Sequence, residues 1–130
     1  MLNQLHIQNF ALIQDLELNL KSGLNIITGE TGAGKSILLG ALALLSGKRS
    51  DVSVIRGDSK KCVIEGVFKV DNYGLESFFD KHDIEFEVNT IIRREIALSG
   101  KSRSFVNDSP VNLTILKELG SFLIDIHSQH

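Results

Sequence analysis

Gly29, Gly34, Lys35 and Ser36 stand at the spacing Gly-x-x-x-x-Gly-Lys-[Ser/Thr], with a further glycine at position 32. The chemistry such a set can do is polyphosphate binding. A triphosphate needs several donors converging on it, and successive backbone N–H groups in a tight loop form a concave nest of that kind. Gly29, Gly32 and Gly34 let the backbone come close to phosphate oxygens and take positive φ without steric cost. Lys35 is expected to reach the β- and γ-phosphates as a point charge. The Ser36 hydroxyl is a hard oxygen ligand suited to Mg²⁺. Glu30, Thr31 and Ala33 complete the loop, so the candidate ATP site spans residues 29–36. The pattern has meaning only between a strand and a helix. Here a β-branched run, Ile26-Ile27, precedes it and a long apolar run, residues 37–45, follows. That helix would aim the positive end of its dipole at the phosphates. A glycine-rich turn beside a surface lysine would not need those flanks.

A nucleotide hydrolase also needs a carboxylate near the metal and a group that orients water. Phe122-Leu123-Ile124-Asp125 is an apolar run ending in aspartate, which reads either as a metal-side strand or as a core strand whose end meets solvent. Gln129 follows just beyond, where a side-chain carbonyl would meet Mg²⁺ or a water. His127 and His130 lack a third ligand and read as surface residues. Cys62, the sole cysteine, excludes an intramolecular disulfide and reads as core rather than nucleophile. The basic residues fall in small groups. Most read as solvated surface, but Arg93-Arg94 and Lys101 with Arg103 flank one expected hairpin and could converge into a phosphate-contacting patch.

The elements that must position these residues follow from periodicity. The chain has 130 residues, 42% of them hydrophobic, and a formal charge of −2, which fits one domain or part of one. That charge makes no case for nucleic acid or membrane binding from composition alone. No N-terminal stretch has signal-peptide form, and residues 37–45 are too few to span a bilayer. The expectation is a soluble intracellular protein. Because the sequence stops directly after an apolar run, it is expected to be a piece of something longer.

Residues 2–8 read as a strand, and 12–20, with Leu16, Leu18 and Leu20 alternating with polar residues, as its antiparallel partner. A helix is expected over 35–46, apolar almost all round, with Gly47 as its stop. Residues 50–61, including Arg56-Gly57-Asp58, read as an exposed connection. Strands are expected over 62–70 and 86–97, with a short helix over 73–81 capped by Asp71-Asn72 between them. A strand over 104–107 and a turn at 108–110 come next. A helix capped by Asn112 and ended by Gly120, then a strand over 122–126, complete the chain. Antiparallel hairpins combined with one strand–loop–helix unit make an α/β layered domain.

Several of these motifs together resemble one family. Asn9-Phe10, then Gly-Leu-Asn-Ile-Ile-Thr-Gly-Glu-Thr-Gly-Ala-Gly-Lys-Ser, are similar to the opening of the RecN family. These are bacterial DNA-repair ATPases related to the structural maintenance of chromosomes (SMC) proteins. The likeness continues through Ile92-Arg93-Arg94-Glu95-Ile96, Ser102-Arg103-Ser104-Phe105-Val106-Asn107 and Ile124-Asp125-Ile126-His127-Ser128-Gln129-His130. It implies a P-loop NTPase fold, with residues 1–130 as the N-terminal part of an ABC-type ATPase head that has an antiparallel β portion. It further implies ATP and Mg²⁺ as cofactors and Gly29 to Ser36 on the phosphates. Gln129 would lie at the family's Q-loop position beside Mg²⁺ and the attacking water, and Asp125 is demoted to a strand-end residue. Asn9 and Phe10 would lie toward the adenine side. A coiled coil and a C-terminal half bearing the signature motif and the catalytic glutamate would complete the head. Two heads would then sandwich ATP as a homodimer acting on DNA in double-strand-break repair, in the cytoplasm at the nucleoid, without a membrane. This stretch alone would be inactive. A self-contained small P-loop kinase with Asp125 on the metal, or a non-catalytic nucleotide-binding module, are the alternatives.

Overall fold

The computed structural model describes residues 1–20 and 32–124. Nine-residue β1 (Leu2–Phe10) turns through Ala11-Leu12 into β2 (Ile13–Asn19), and the two pair antiparallel from Gln4↔Asn19 to Phe10↔Ile13. Helix α1 (Gly32–Leu45) follows, then a short 3₁₀ turn (Val52–Val54) and β3 (Lys61–Lys69). Next come α2 (Glu76–Lys81), β4 (Asn89–Ala97), β5 (Ser102–Val106), β6 (Ser109–Val111) and α3 (Leu113–Leu123). Among the described residues the sheet runs β2-β1-β3-β4-β5-β6, each neighbouring pair antiparallel.

Period-two alternation decides which face the core takes. Leu5 and Ile7 of β1, Cys62, Ile64 and Phe68 of β3, and Ile92 and Ile96 of β4 are buried on one face, joined there by Val106 of β5. Ala41, Leu42, Leu44 and Leu45 of α1, Phe78 and Phe79 of α2, and Leu116 and Leu119 of α3 close over that face. Gly66 in β3 lets α1 lie close to the sheet: a Cβ there would sit 2.9 Å from Leu45 Cδ1. The opposite face carries Lys61, Val63, Glu65, Val67 and Lys69 on β3, exposed or half-buried.

Several expected boundaries moved. Helix α2 starts at Glu76 rather than 73, with Leu75 at its N-cap and no side-chain cap from Asp71 or Asn72, although Leu75, Phe78 and Phe79 do point inward. The connection after α1 is not wholly exposed, because Ile55 is buried and bridges Phe10. The turn expected at 108–110 is made by Asn107 and Asp108, both with positive φ, and Pro110 sits in edge strand β6. An edge position suits a residue with no N–H to give the ladder. Gly120 does not end its helix, and Phe122-Leu123, expected as strand, form the last turn of α3.

Candidate functional site

α1 is the described part of the candidate site. It begins at Gly32, so Lys35 and Ser36 lie in its first turn, both exposed. Gly34 is also in that turn, so the positive φ expected there is not taken. Without a side chain it leaves the backbone of that turn uncovered. The first N–H groups of a helix have no intrahelical partners and carry the positive dipole end. An exposed helix start bearing a lysine and a hydroxyl therefore fits a polyphosphate with a hard cation. Residues 29–31 and the strand expected over 24–27 lie outside the described residues, as do Asp125, His127, Gln129 and His130.

The other end of α1 is held tightly. Gly47, at φ +97°, donates to Leu44 O at 3.1 Å while Lys48 N donates to Ala43 O at 3.1 Å. This is the paired bond of a Schellman cap, and it confirms Gly47 as the stop. α3 crosses the helix here at backbone distance. A Cβ on Gly120 would lie 2.7 Å from Ser46 Cα, and one on Gly47 would lie 2.9 Å from Lys117 N.

Sequence reasoning placed Arg93 and Arg94 together on a basic surface, and the structure separates them. Consecutive strand residues face opposite sides of a sheet. Arg94 points inward and is 1% exposed. One guanidinium nitrogen (Nη1) donates to Leu44 O at 2.8 Å and Lys48 O at 2.7 Å, and Nη2 donates to Ser102 Oγ at 3.0 Å. Burial lowers the pKa of this guanidinium, and the adjacent Cys62 opposes that shift. Arg93 points outward but is engaged by Glu95 at 3.2 Å, Asp108 at 3.2 Å and Glu65 at 3.7 Å. It also stacks 4.4 Å above the Phe105 ring. Neither arginine is available to a phosphate backbone, so the four-residue patch does not exist as expected. Lys101 and Arg103 instead join Lys61 around a hollow of about 220 Å³, where Lys61 meets Glu95 at 3.7 Å. The missed role of Arg94 had a signal: it occupies the same strand phase as Ile92 and Ile96.

A cleft of about 430 Å³ opens beside α1, with Phe10, Gly40, Leu44 and Val54 as its apolar wall and Lys48, Arg49, Asp51 and Ser53 on its rim. The β1–β2 turn next to it is strained, with Asn9 at φ 55° and Ala11 at φ 54°. The following segment braces that turn. Ala11 N donates to Val54 O at 2.7 Å, and Arg56 N donates to Asn9 O at 2.8 Å. Asp51 caps the 3₁₀ turn through Ser53, and these hydrogen bonds, the hydroxyl's first, lower its pKa. Among the described residues there is no cluster of three or more metal-ligating side chains, and no helix is long and apolar enough to cross a membrane.

A sequence profile of the AAA domain matches residues 4–129. The DNA repair protein RecN of Vibrio cholerae is 43% identical over all of this chain, which covers 24% of that protein. The RecN proteins of Bacillus subtilis and Synechocystis are 39% and 46% identical, with 23% of each covered. The chain thus spans about a quarter of the length of the curated relatives it matches. Among solved structures, one from work on ATP-driven dimerization of SMC ATPases superposes with a TM-score of 0.72 at 18% identity, covering 93% of this chain and 78% of that one. The SMC head domain from Thermotoga maritima gives 0.63 at 18% identity over 91% and 41% of the respective chains. The recombination mediator RecF bound to ATP gives 0.57 at 19% identity over 85% and 27%. The fold is accordingly the α/β P-loop NTPase fold of SMC heads and RecF.

Proposed function

The chain belongs to the AAA domain family, and on that premise we propose that it is the ATP-binding portion of a RecN-type DNA-repair ATPase. The observation that carries the reading is the start of α1: the Gly-Lys-Ser of the phosphate-loop pattern falls on the exposed first turn of a helix anchored against the sheet. In this reading residues 29–34 present backbone N–H groups to the phosphates. Lys35 holds the β- and γ-phosphates. Ser36 gives its hydroxyl oxygen to Mg²⁺, and Gln129 orients the attacking water. Mg²⁺ held by Ser36 would supply positive charge to offset the negative charge of the phosphates.

Residues 1–130 would form the N-terminal part of an ABC-type head. A partner half would supply the signature motif and catalytic glutamate, and hydrolysis would await that half and the engagement of two heads as a homodimer. DNA carrying a double-strand break would be the substrate of the assembled protein, acting in the cytoplasm at the nucleoid. The similarity to RecN proteins over the whole chain supports this reading over a self-contained kinase.

The test is Lys35→Ala in the full-length protein. Turnover of ATP should fall at least about a hundredfold, equivalent to roughly 2.7 kcal/mol of transition-state stabilisation. Cells carrying the variant should lose resistance to double-strand breaks. Wild-type ATP turnover and survival in the variant would refute the assignment.

A further inference from the structure

Among the described residues Arg94 is the one fully buried charge that the nucleotide-binding reading leaves unused, and its surroundings are costly. Its Nε is buried without a hydrogen-bond partner, and among the described residues no carboxylate pairs with it. An apolar side chain of similar length would remove that unsatisfied Nε, but it would also take away the bonds the guanidinium makes. What the guanidinium adds is direction. One of its bonds ends on the carbonyl of Leu44 in the last turn of α1, a second on that of Lys48 just past the Gly47 cap, and a third on Ser102 of β5.

Burial is graded along α1. Gly34, Lys35 and Ser36 are exposed, Ile37 to Gly40 are half-buried, and Ala41, Leu42, Leu44 and Leu45 are buried. The helix is therefore a rod about 21 Å long that is gripped at one end and presents the other. Apolar contact holds such a rod to a sheet but is non-directional, so it resists roll and slip weakly. Directed bonds at the gripped end set where the presented end points. The guanidinium also lies at the negative end of the helix dipole, leaving the positive end for an anion.

We infer that Arg94 is a positioning residue for the phosphate-binding end of α1, fixing the placement of Lys35 and Ser36 from the far end of the helix. The inference rests on the reading of residues 29–36 as a nucleotide site. The experiment uses the full-length protein with Arg94→Met and Arg94→Lys. Affinity for a fluorescent ATP analogue is measured with Mg²⁺ and with EDTA, alongside KM and kcat for ATP and a thermal melt. Arg94→Met should raise KM about tenfold and shrink the Mg²⁺ enhancement of affinity by a similar factor, because the Ser36 oxygen is displaced from the metal. Arg94→Lys, whose ammonium is a single point charge without the guanidinium fork, should fall between Arg94→Met and wild type.

A purely structural role would reduce the folded fraction equally with and without Mg²⁺ and leave both the ratio and KM unchanged. That result in folded Arg94→Met overturns the inference. If Arg94→Met does not fold, Arg94→Lys decides: an intermediate Mg²⁺ ratio supports the inference and a wild-type ratio overturns it. Failure of the wild-type protein to bind ATP would instead overturn the functional reading itself.

Discussion

Gly120→Ala sets two familiar effects against each other, and the structure says which prevails. In the middle of a helix, alanine in place of glycine adds about 1 kcal/mol of stability through propensity and a less flexible unfolded chain. At this position, however, the new Cβ would lie 2.7 Å from Ser46 Cα, 2.9 Å from Ser46 Cβ and 3.0 Å from Ser46 O. Carbon atoms settle at roughly 3.5–4.0 Å, so α3 would have to withdraw by close to 1 Å. Ser46 cannot yield in its place. Its N–H is bonded to Leu42 O at 3.0 Å and Ala43 O at 3.2 Å, its hydroxyl to Ala43 O at 2.8 Å, and Gly47 caps the helix immediately after it. A clash this close, and against backbone, puts the overpacking cost in the upper part of its usual range, about 2–3 kcal/mol. The net expectation is a loss of about 1–2 kcal/mol, or a Tm lower by about 3–8 °C for a domain of this size. The assay is thermal unfolding followed by far-UV circular dichroism. Ser121→Ala, one residue along on the exposed side of α3, serves as the control and should shift stability by no more than about 0.5 kcal/mol. A Gly120→Ala variant that melts at or above wild type would refute the close crossing of α1 and α3.

Asn112→Ala removes the oxygen that accepts from Ile115 N at 2.9 Å, so it should destabilise α3 by about 1 kcal/mol in urea unfolding, while Asn112→Asp retains the cap. Burial pushes the Cys62 thiol up to about 11 from an ordinary 9.0, with the Arg94 guanidinium pulling the other way. The raised pKa means that the folded state holds its proton longer than the unfolded chain. The resulting stability is fully present below pH 9.0 and is lost as pH rises toward about 11, on the order of 2 kcal/mol in all. Cys62→Ala should flatten that alkaline decline, as chemical denaturation across the same pH range would reveal. In the native protein near neutral pH, Cys62 should also resist alkylation until the chain is unfolded.

Much of the architecture was legible from local pattern. Leu16 and Leu18 alternating with acidic neighbours gave β2, and Cys62, Ile64 and Phe68 gave the inner face of β3. Asn112 announced the start of α3, and Gly47 the end of α1, because a cap is a contact among residues close in sequence. Apolar runs were less certain. Phe122-Leu123-Ile124 fits a strand or a helix equally well by composition; the structure makes Phe122 and Leu123 the last turn of α3, with Phe122 still 49% exposed and its ring 6.1 Å from that of Phe78. The phase of β4 was legible but passed over: Ile92 and Ile96 flank Arg94 in one phase, whereas Glu95 stands beside Arg93 in the other, so alternation already pointed Arg94 inward.

What the sequence determined by itself was the Gly-Lys-Ser pattern, its placement at a helix start, and the order of the strands and helices from β1 to β5 that the structure describes, though not edge strand β6 or the end of α3. Spacing along the chain is enough to specify a nest, a cap or an alternating strand. What only the tertiary structure decided was the set of contacts between distant segments. Arg94 reaches carbonyls 50 and 46 residues earlier in the chain, and Gly120 is required by the backbone of Ser46 rather than by any turn of its own. Such contacts depend on which faces of separate elements come together, and that choice is made by packing the whole core at once.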